Sequence, residues 1–373
     1  VHIVHYNLTT TTKEGGVETF VWDLAAEQAR SGHDVTIVSG KGDIRREAPG
    51  VRILTAGYVD RGAFAIGPLR RAWAIRKLLE RLTMLPRGLR LVGRPHLVHI
   101  HKPYDLPLAP LLRPRAVPVF YHGHGEGFFP GDRTLARFTA GLLSCSTYNA
   151  ETLRARYRRE ATVVYNGVDT DHFRRRPSEP ALRRALAGNA RHLVLMPGRF
   201  MPWKGHADVL RALARLQDLD MRLVLVGEGE TRGALEAEAQ GLGLGDRVVF
   251  TGVVPHREMP RYFAVSDLVV GASRASETFG MVLAEAMACE RPVLASSWRG
   301  YDDVVVAGET GERFPVGDAE AIAAALRRLL GNEGVRAALG AAGRRRVDAL
   351  FRWSRVRERV QAVYDGILSS PAL

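Results

Sequence analysis

Lysine is nearly missing from this chain: of its 53 basic residues five are lysine, and the other 48 are arginines spread over both halves. Against 40 acidic residues they leave a formal charge of +13. Such an excess suits nucleic acid, anionic lipid or phosphorylated small molecules. A nucleic-acid reader, however, would gather its charge into a stripe interleaved with aromatics, whereas a dispersed arginine bias reflects a GC-rich genome. Nucleic acid is therefore not expected as a partner. Cysteine is scarce as well. Cys145 and Cys289 lie far apart in apolar sequence, at no metal-ligand or redox spacing, and are expected as buried thiols. No uncharged apolar run reaches about 18 residues, and strand-like residues 1–6 open the chain with no basic leader. These absences lead us to expect a cytoplasmic protein.

Several nucleotide and hydrolase signatures are absent too. Neither Gly123, Gly125 and Gly127, nor Gly227 and Gly229, nor Gly241, Gly243 and Gly245 completes G-x-G-x-x-G, which disfavours a conventional NAD or FAD site. Lys41 and Lys204 are each followed by glycine, so no phosphate loop of the G-K-[ST] type exists. H-E-x-x-H and G-x-S-x-G do not occur either.

What is present is alternation. The 373 residues, 46% hydrophobic and 25% charged, are enough for two ordered domains with full cores. Short β-branched runs at 1–6, 35–38, 96–100, 117–121 and 162–164 alternate with helical stretches, and a second series follows at 192–196, 222–226, 248–250, 268–270 and 293–295. That is the pattern of parallel sheets with crossover helices. Between the series lies a polar stretch, 171–179, where a linker belongs. The reading is an α/β chain of two doubly wound, Rossmann-like domains, 1–177 and 178–353, with a last helix over about 354–373 returning to the first. Ligands of such sheets bind beyond the carboxyl ends of the strands, so the two domains are expected to face a central cleft.

Four constellations fall in strand-to-helix loops. Glu277 and Glu285 bracket Phe279, Gly280, Met281 and Val282, where a helix is predicted to begin near Gly280. The amides of that first turn suit a phosphate, and the two carboxylates suit ribose and sugar hydroxyls. A capping acid followed by a surface glutamate would also give this spacing, but the intact string favours the ligand reading. Arg199 and Lys204 follow the first strand of the second half, and a guanidinium with an ammonium can neutralise a diphosphate leaving group without a divalent ion. A solvated surface pair is the alternative. His122 and His124 sit at the end of the run 117–121 among glycines that permit close approach. No further ligand has recognisable spacing, so no metal site is expected. Gly15 and Gly16 open an amphipathic helix whose amides suit the transferred sugar or the acceptor, or serve only as a helix start.

Together these strings, with Gly15-Gly16-Val17-Glu18, Val164-Tyr165-Asn166-Gly167-Val168-Asp169 and Val226-Gly227-Glu228-Gly229, resemble the retaining glycosyltransferases of glycosyltransferase family 4, which have the GT-B fold. The resemblance spans nearly the whole chain. It implies that Arg199 and Lys204 bind the diphosphate of a UDP- or GDP-sugar, that Glu285 holds the ribose, that Glu277 and the backbone from Phe279 through Val282 hold the sugar, and that His124 contacts it near the reacting carbon. It implies front-face transfer of a hexose-type sugar to a hydroxyl acceptor with retention, the leaving phosphate helping to deprotonate that acceptor, and no cofactor. Two positions depart from the family pattern: Arg299-Gly300-Tyr301-Asp302-Asp303 stands where many members have a Gly-Gly-Ile-Pro-Glu type loop, and Ser276 replaces a common proline. Both bear on the choice of sugar and acceptor.

Two rivals share these residues: a nucleotide-sugar epimerase and a non-catalytic nucleotide-sugar binding protein. Incubation without acceptor separates the first, since an epimerase returns an altered sugar still on its nucleotide. Finally, Leu69, Ala72, Ile75, Leu79 and Leu82 recur at helical spacing among Arg70, Arg71, Arg76, Lys77 and Arg81. Residues 61–115 hold twelve basic residues against Glu80 and Asp105. The spacing predicts a basic amphipathic helix, suited to peripheral contact with an anionic membrane at its inner face or simply to a solvated surface.

Overall fold

The computed structural model describes residues 1–369, so the last part of the helix expected over about 354–373 lies outside the described residues. The chain divides into two compact units, Val1–Gly167 with Trp353–Leu373, and Val168–Arg352.

Unit 1 carries seven parallel strands, β1 (His2–Tyr6), β2 (Asp34–Gly40), β3 (Val51–Ala56), β4 (Leu97–Ile100), β5 (Val119–Gly123), β6 (Gly141–Ser144) and β7 (Thr162–Val163), in the order β3-β2-β1-β4-β5-β6-β7. Reversal of strand order at β1 is the doubly wound arrangement, which puts the loops after β1 and β4 at the ligand-binding crevice. Pairing of β1 with β4 sets His5 beside His99. β3 and β6 are strands that sequence periodicity passed over. β3 is an edge strand with Arg52 and Thr55 exposed, and β6 is four buried residues bounded by Gly141 and Ser144, short of the β-branched signal.

One face of this sheet is covered by the helices Gly16–Arg30 and Trp353–Leu368. Val356, Val360 and Tyr364 from the latter join Ile3, Phe20, Leu24, Leu97, Phe120 and Leu143 in a single apolar cluster.

The basic segment differs from its expected form. Gly67–Arg71 is a 3₁₀ turn, and the α-helix starts only at Trp73 and runs to Val92. Its buried side is Glu80, Arg81, Met84, Gly88 and Val92, so Arg81 is not on the solvated face. Its guanidinium instead lies 3.1 Å from both Glu80 and Asp105. Ile75 and Leu82 are exposed together with Ile66 and Trp73.

Unit 2 repeats the topology with β8 (His192–Pro197), β9 (Met221–Val226), β10 (Val248–Phe250), β11 (Leu268–Gly271), β12 (Val293–Ser296) and β13 (Glu312–Phe314), ordered β10-β9-β8-β11-β12-β13 and all parallel. β13 also lacked a sequence signal, being three residues on an edge with Glu312 and Arg313. The polar residues 171–179 belong to unit 2, and the division falls at Gly167. There the Val168 amide donates to the Phe351 carbonyl at 2.7 Å and Val168 bridges to Arg352. Cys145 and Cys289 are buried and form no disulfide among the described residues. No helix among the described residues is long and apolar enough to cross a membrane.

Candidate active site

In unit 2 the loops that follow β8, β9 and β11 lock together through glycines. A Cβ on Gly227, at φ 141°, would meet the Gly198 carbonyl at 2.1 Å, and one on Gly205, at φ 73°, would meet the Ala272 carbonyl at 2.1 Å. Backbone contact this close requires glycine. It seats the 3₁₀ turn Pro202–Lys204 against the end of β11.

Lys204 Nζ then lies 2.6 Å from Glu277 Oε2. The other carboxylate oxygen accepts from the Gly280 amide at 3.1 Å and faces the Phe279 amide at 3.5 Å. These two amides were expected to be open to a ligand, and they are turned to Glu277 instead. The first backbone bond of the helix Met281–Ala288 is Leu283 N–H to the Gly280 carbonyl, which leaves the amides of Met281 and Val282 without a helical acceptor. The Phe279 side chain is core, edge-on to Phe351 at 5.2 Å. Arg199 is exposed and makes no ion pair among the described residues.

Glu285 is buried on the same helix, where His256 Nε2 donates to Oε1 at 2.8 Å. His256, half exposed and packed on Phe173 at 5.0 Å, had no sequence signal, because the contact spans 29 positions.

The departures from the family pattern have structural roles. Trp298 Nε1 donates to the Glu277 carbonyl at 2.8 Å, a Cβ on Gly300 would stand 1.8 Å from that oxygen, and the Tyr301 hydroxyl donates to Ser273 Oγ at 2.8 Å. The loop 298–301 thus braces the main chain of Glu277. Ser276 has φ 56°, in the left-handed region, which proline with φ near −65° cannot enter. Beneath the pair, His206 lines the same pocket as Lys204, Glu277, Gly280 and Val282. It is buried, both ring nitrogens lack hydrogen-bond partners among the described residues, and burial with the Lys204 charge pulls its pKa down to about 4.

In unit 1, Gly15 precedes the helix Gly16–Arg30, and a Cβ there would meet Glu18 Oε2 at 2.5 Å. The Glu18 carboxylate folds back to pair with Lys102 and accepts from the Thr9 hydroxyl. Burial pushes its pKa up, but Lys102 and Thr9 outweigh that and hold it below the usual range. Lys102, missed in the sequence because its partner is 84 positions away, is brought down by burial to about 8.

His124 belongs to a group of five histidines. His5, His99, His101 and His122 are fully buried beside it, so His101 supplies the third imidazole that spacing did not reveal. Ring nitrogens of His5, His99 and His101, and of His101, His122 and His124, lie within 4.8 Å of one another. A bound ion needs lone pairs that converge. These ring planes lie within 31° of parallel, and two of the contacts are direct N···N hydrogen bonds of 3.0 and 3.4 Å. Sequence spacing offered no further ligand beside His122 and His124, and the fold supplies one in His101.

Comparison with known proteins agrees with this geometry. Residues 14–172 match the family described as Glycosyltransferase Family 4, and residues 179–346 the family described as Glycosyl transferases group 1. The chain is 30% identical over 312 residues to the GDP-mannose-dependent alpha-(1-6)-phosphatidylinositol monomannoside mannosyltransferase of Mycolicibacterium smegmatis, covering 78% of this chain and 82% of that protein. It is 30% identical over 384 residues to D-inositol 3-phosphate glycosyltransferase 1 of Catenulispora acidiphila, covering 94% and 90%. Among solved structures, sucrose-phosphate synthase from Thermosynechococcus elongatus superposes with a TM-score of 0.81 at 22% identity over 99% of both chains. Anabaena HepE, in complex with UDP and glucose, gives 0.79 at 21% identity over 97% and 99%. With two Rossmann-like units of matching strand order and both halves within the family's bounds, this chain belongs to glycosyltransferase family 4, has the GT-B fold, and is a glycosyltransferase.

Proposed function

We propose that the chain transfers a hexose-type sugar, with retention of configuration, from a nucleotide-diphosphate sugar to a hydroxyl acceptor, without a catalytic metal. The observation that carries this reading is the Lys204–Glu277 pair at the start of the helix Met281–Ala288. It places an ammonium, two helix amides and a carboxylate within one turn. A leaving diphosphate is stabilised by the Lys204 ammonium, the unpartnered Arg199 guanidinium and the Met281 and Val282 amides, all aimed before the charge develops. Glu277, drawn from Lys204 by the phosphate, accepts from sugar hydroxyls. Glu285, oriented by His256, accepts from the ribose diol, and His124 hydrogen-bonds the transferred sugar. Gly15 and Gly16 keep the backbone before Glu18 open to sugar or acceptor. In this reading the Lys204 and Arg199 cations and the helix amides carry the electrostatic role. The named relative that uses GDP-mannose supports a guanosine donor.

Thermal-shift measurements across GDP, UDP and ADP, followed by a transfer assay in excess EDTA, test this reading. The melting temperature rises most with GDP, and turnover persists in chelator. Loss of turnover restored by Mg²⁺ would end the metal-free reading. Conversion of the sugar while still on its nucleotide, without acceptor, would favour an epimerase.

A further specific observation supports peripheral contact with an anionic membrane. Ile66, Trp73, Ile75 and Leu82 are exposed, and Arg61, Arg76 and Lys77 hold their charges 4.8 to 5.3 Å from the Trp73 ring. An indole flanked by cations next to exposed aliphatics suits the headgroup boundary.

A further inference from the structure

Strands β8 and β11 are parallel neighbours, with Leu268 beside Val194 and Val269 beside Leu195, so the loops that leave their carboxyl ends run side by side. One carries Lys204 and the other Glu277. Arg274, three residues before Glu277, joins these loops twice. Its main-chain amide donates to the Trp203 carbonyl at 2.6 Å, next to Lys204. Its side chain reaches Asp208, four residues after Lys204, where Nε donates to Oδ2 at 2.7 Å and Nη2 donates to Oδ1. Both carboxylate oxygens are thus held by one planar guanidinium, a fork that lysine cannot reproduce.

Asp208 is suited to receive it. It lies in the first turn of the helix His206–Ala214, where a negative charge complements the helix dipole, and its amide donates to the Gly205 carbonyl at 3.1 Å. The Asp208 side chain is 1% exposed, and Arg211 offers only a more distant partner at 3.6 Å. A buried carboxylate stripped of its main cation is costly, so the pair with Arg274 resists separation.

Two ion pairs therefore span the same two loops. Lys204–Glu277 is the one that a diphosphate takes apart in the function proposed above, since the phosphate draws Lys204 away from Glu277. Arg274–Asp208 has no part in holding the donor there, so it stays closed while the other opens. Stabilisation of a leaving group depends on cations that are aimed before the charge develops. Without a second tie, the ligand would loosen the loop geometry on which its own binding depends.

We propose that Arg274 and Asp208 are positioning residues that hold the Lys204 turn against the Glu277 loop when the diphosphate takes Lys204 from Glu277. This rests on the reading of Lys204 as a diphosphate contact.

Calorimetric titration of the full chain with GDP and UDP, each compared with its nucleoside, tests the brace in a double-mutant cycle with Lys204→Ala. Arg274→Met is expected to weaken diphosphate binding about tenfold in the wild-type background and nucleoside binding by less than about twofold. Once Lys204 is alanine, the same change should cost less than about twofold further, because the residue it positions is gone. An arginine with a purely structural role would weaken all four ligands alike or add its full cost in both backgrounds. Either result overturns the proposal, as does diphosphate binding of wild-type strength in Arg274→Met. If Arg274→Met does not fold, Arg274→Lys, which keeps the charge and loses the fork, is expected to lose about threefold in the wild-type background and nothing further beside Lys204→Ala. Equal losses in the two backgrounds would then overturn it. Lys204→Ala protein that binds GDP and UDP as tightly as wild type would overturn the diphosphate-contact reading itself, whatever Arg274 does.

Discussion

Lys204 Nζ sits 2.6 Å from Glu277 Oε2, so this cation is already partnered before any phosphate reaches it, whereas Arg199 makes no ion pair among the described residues. A diphosphate must compete with Glu277 for Lys204 but not for Arg199. Arg199→Ala and Lys204→Ala are each expected to weaken nucleoside-diphosphate binding by about 10- to 100-fold, roughly 1.4 to 2.7 kcal/mol. Arg199→Ala should show the larger loss. Binding of the bare nucleoside should change by less than about twofold. Calorimetric titration of both ligands checks this, and equal losses for the two would show that the loop does not clamp the diphosphate.

Ser276 holds a left-handed φ of 56° directly before Glu277. That conformation costs a residue with a Cβ roughly 1–2 kcal/mol, part of which glycine recovers after its own entropy cost. Ser276→Gly should therefore raise stability by about 0.5–1 kcal/mol. Ser276→Pro, the family's common residue, should cost about 3 kcal/mol or more and displace Glu277 from Lys204. Urea melts of the two variants measure the difference, and a stable Ser276→Pro protein with intact donor binding would contradict the backbone assignment.

Folding buries neutral imidazoles in unit 1: burial lowers His5 to about 4 and His124 to about 3, and keeps His99, His101 and His122 well below 6.5. In the unfolded chain each titrates near 6.5. Below that pH the unfolded state binds protons that the folded state refuses, so stability falls on acidification, by up to about 1.4 kcal/mol per pH unit for each ring. For His5 the fall ends near pH 4. Denaturant midpoints are expected to drop steeply from pH 6.5 to 5, and His122→Phe should make that slope shallower. A midpoint that rises over the same range would mean that these rings are charged in the folded protein.

How far the sequence went can be seen at Glu277 and Glu285. Their loop and helix were legible because the string between them is continuous, and the helix does start at Met281 after Gly280. What could not be read is which groups meet across the sheet. Lys204 and Glu277 were both singled out, but their contact spans 73 positions, and nothing local records it. Trp298, His256, Lys102 and His101 enter the site regions through sheet order, a tertiary property with no period of its own. The strands that escaped notice, β3, β6 and β13, are edge-bound or only three or four residues long, where burial of one face leaves little pattern. Arg81 was misplaced for a related reason: helical spacing marks a polar face but does not show that Asp105 waits there at 3.1 Å.

The exposed set Ile66, Trp73, Ile75 and Leu82 with its arginines makes the membrane reading testable. In flotation, the protein is expected on anionic vesicles and not on neutral ones, and binding should weaken with salt, since each basic side chain near an anionic surface contributes roughly 1 kcal/mol. Trp73→Ala and the reversal of Arg70, Arg71 and Lys77 to glutamate should each reduce it. Protein that stays off anionic vesicles at low salt would point to a soluble acceptor.

The helix Trp353–Leu368 closes unit 1 with the Tyr364 hydroxyl 2.5 Å from His99 Nδ1, although the sheet it covers is encoded before residue 168. A ribosome delivers that helix after all of unit 2. During synthesis, unit 2 is therefore the first body with every one of its strands and helices available, while the nascent first sheet waits with Ile3, Leu97 and Phe120 uncovered. A premature stop just past residue 352 would spare the later half of the protein and strand the earlier one, leaving the apolar face around the buried histidines as a binding surface for chaperones.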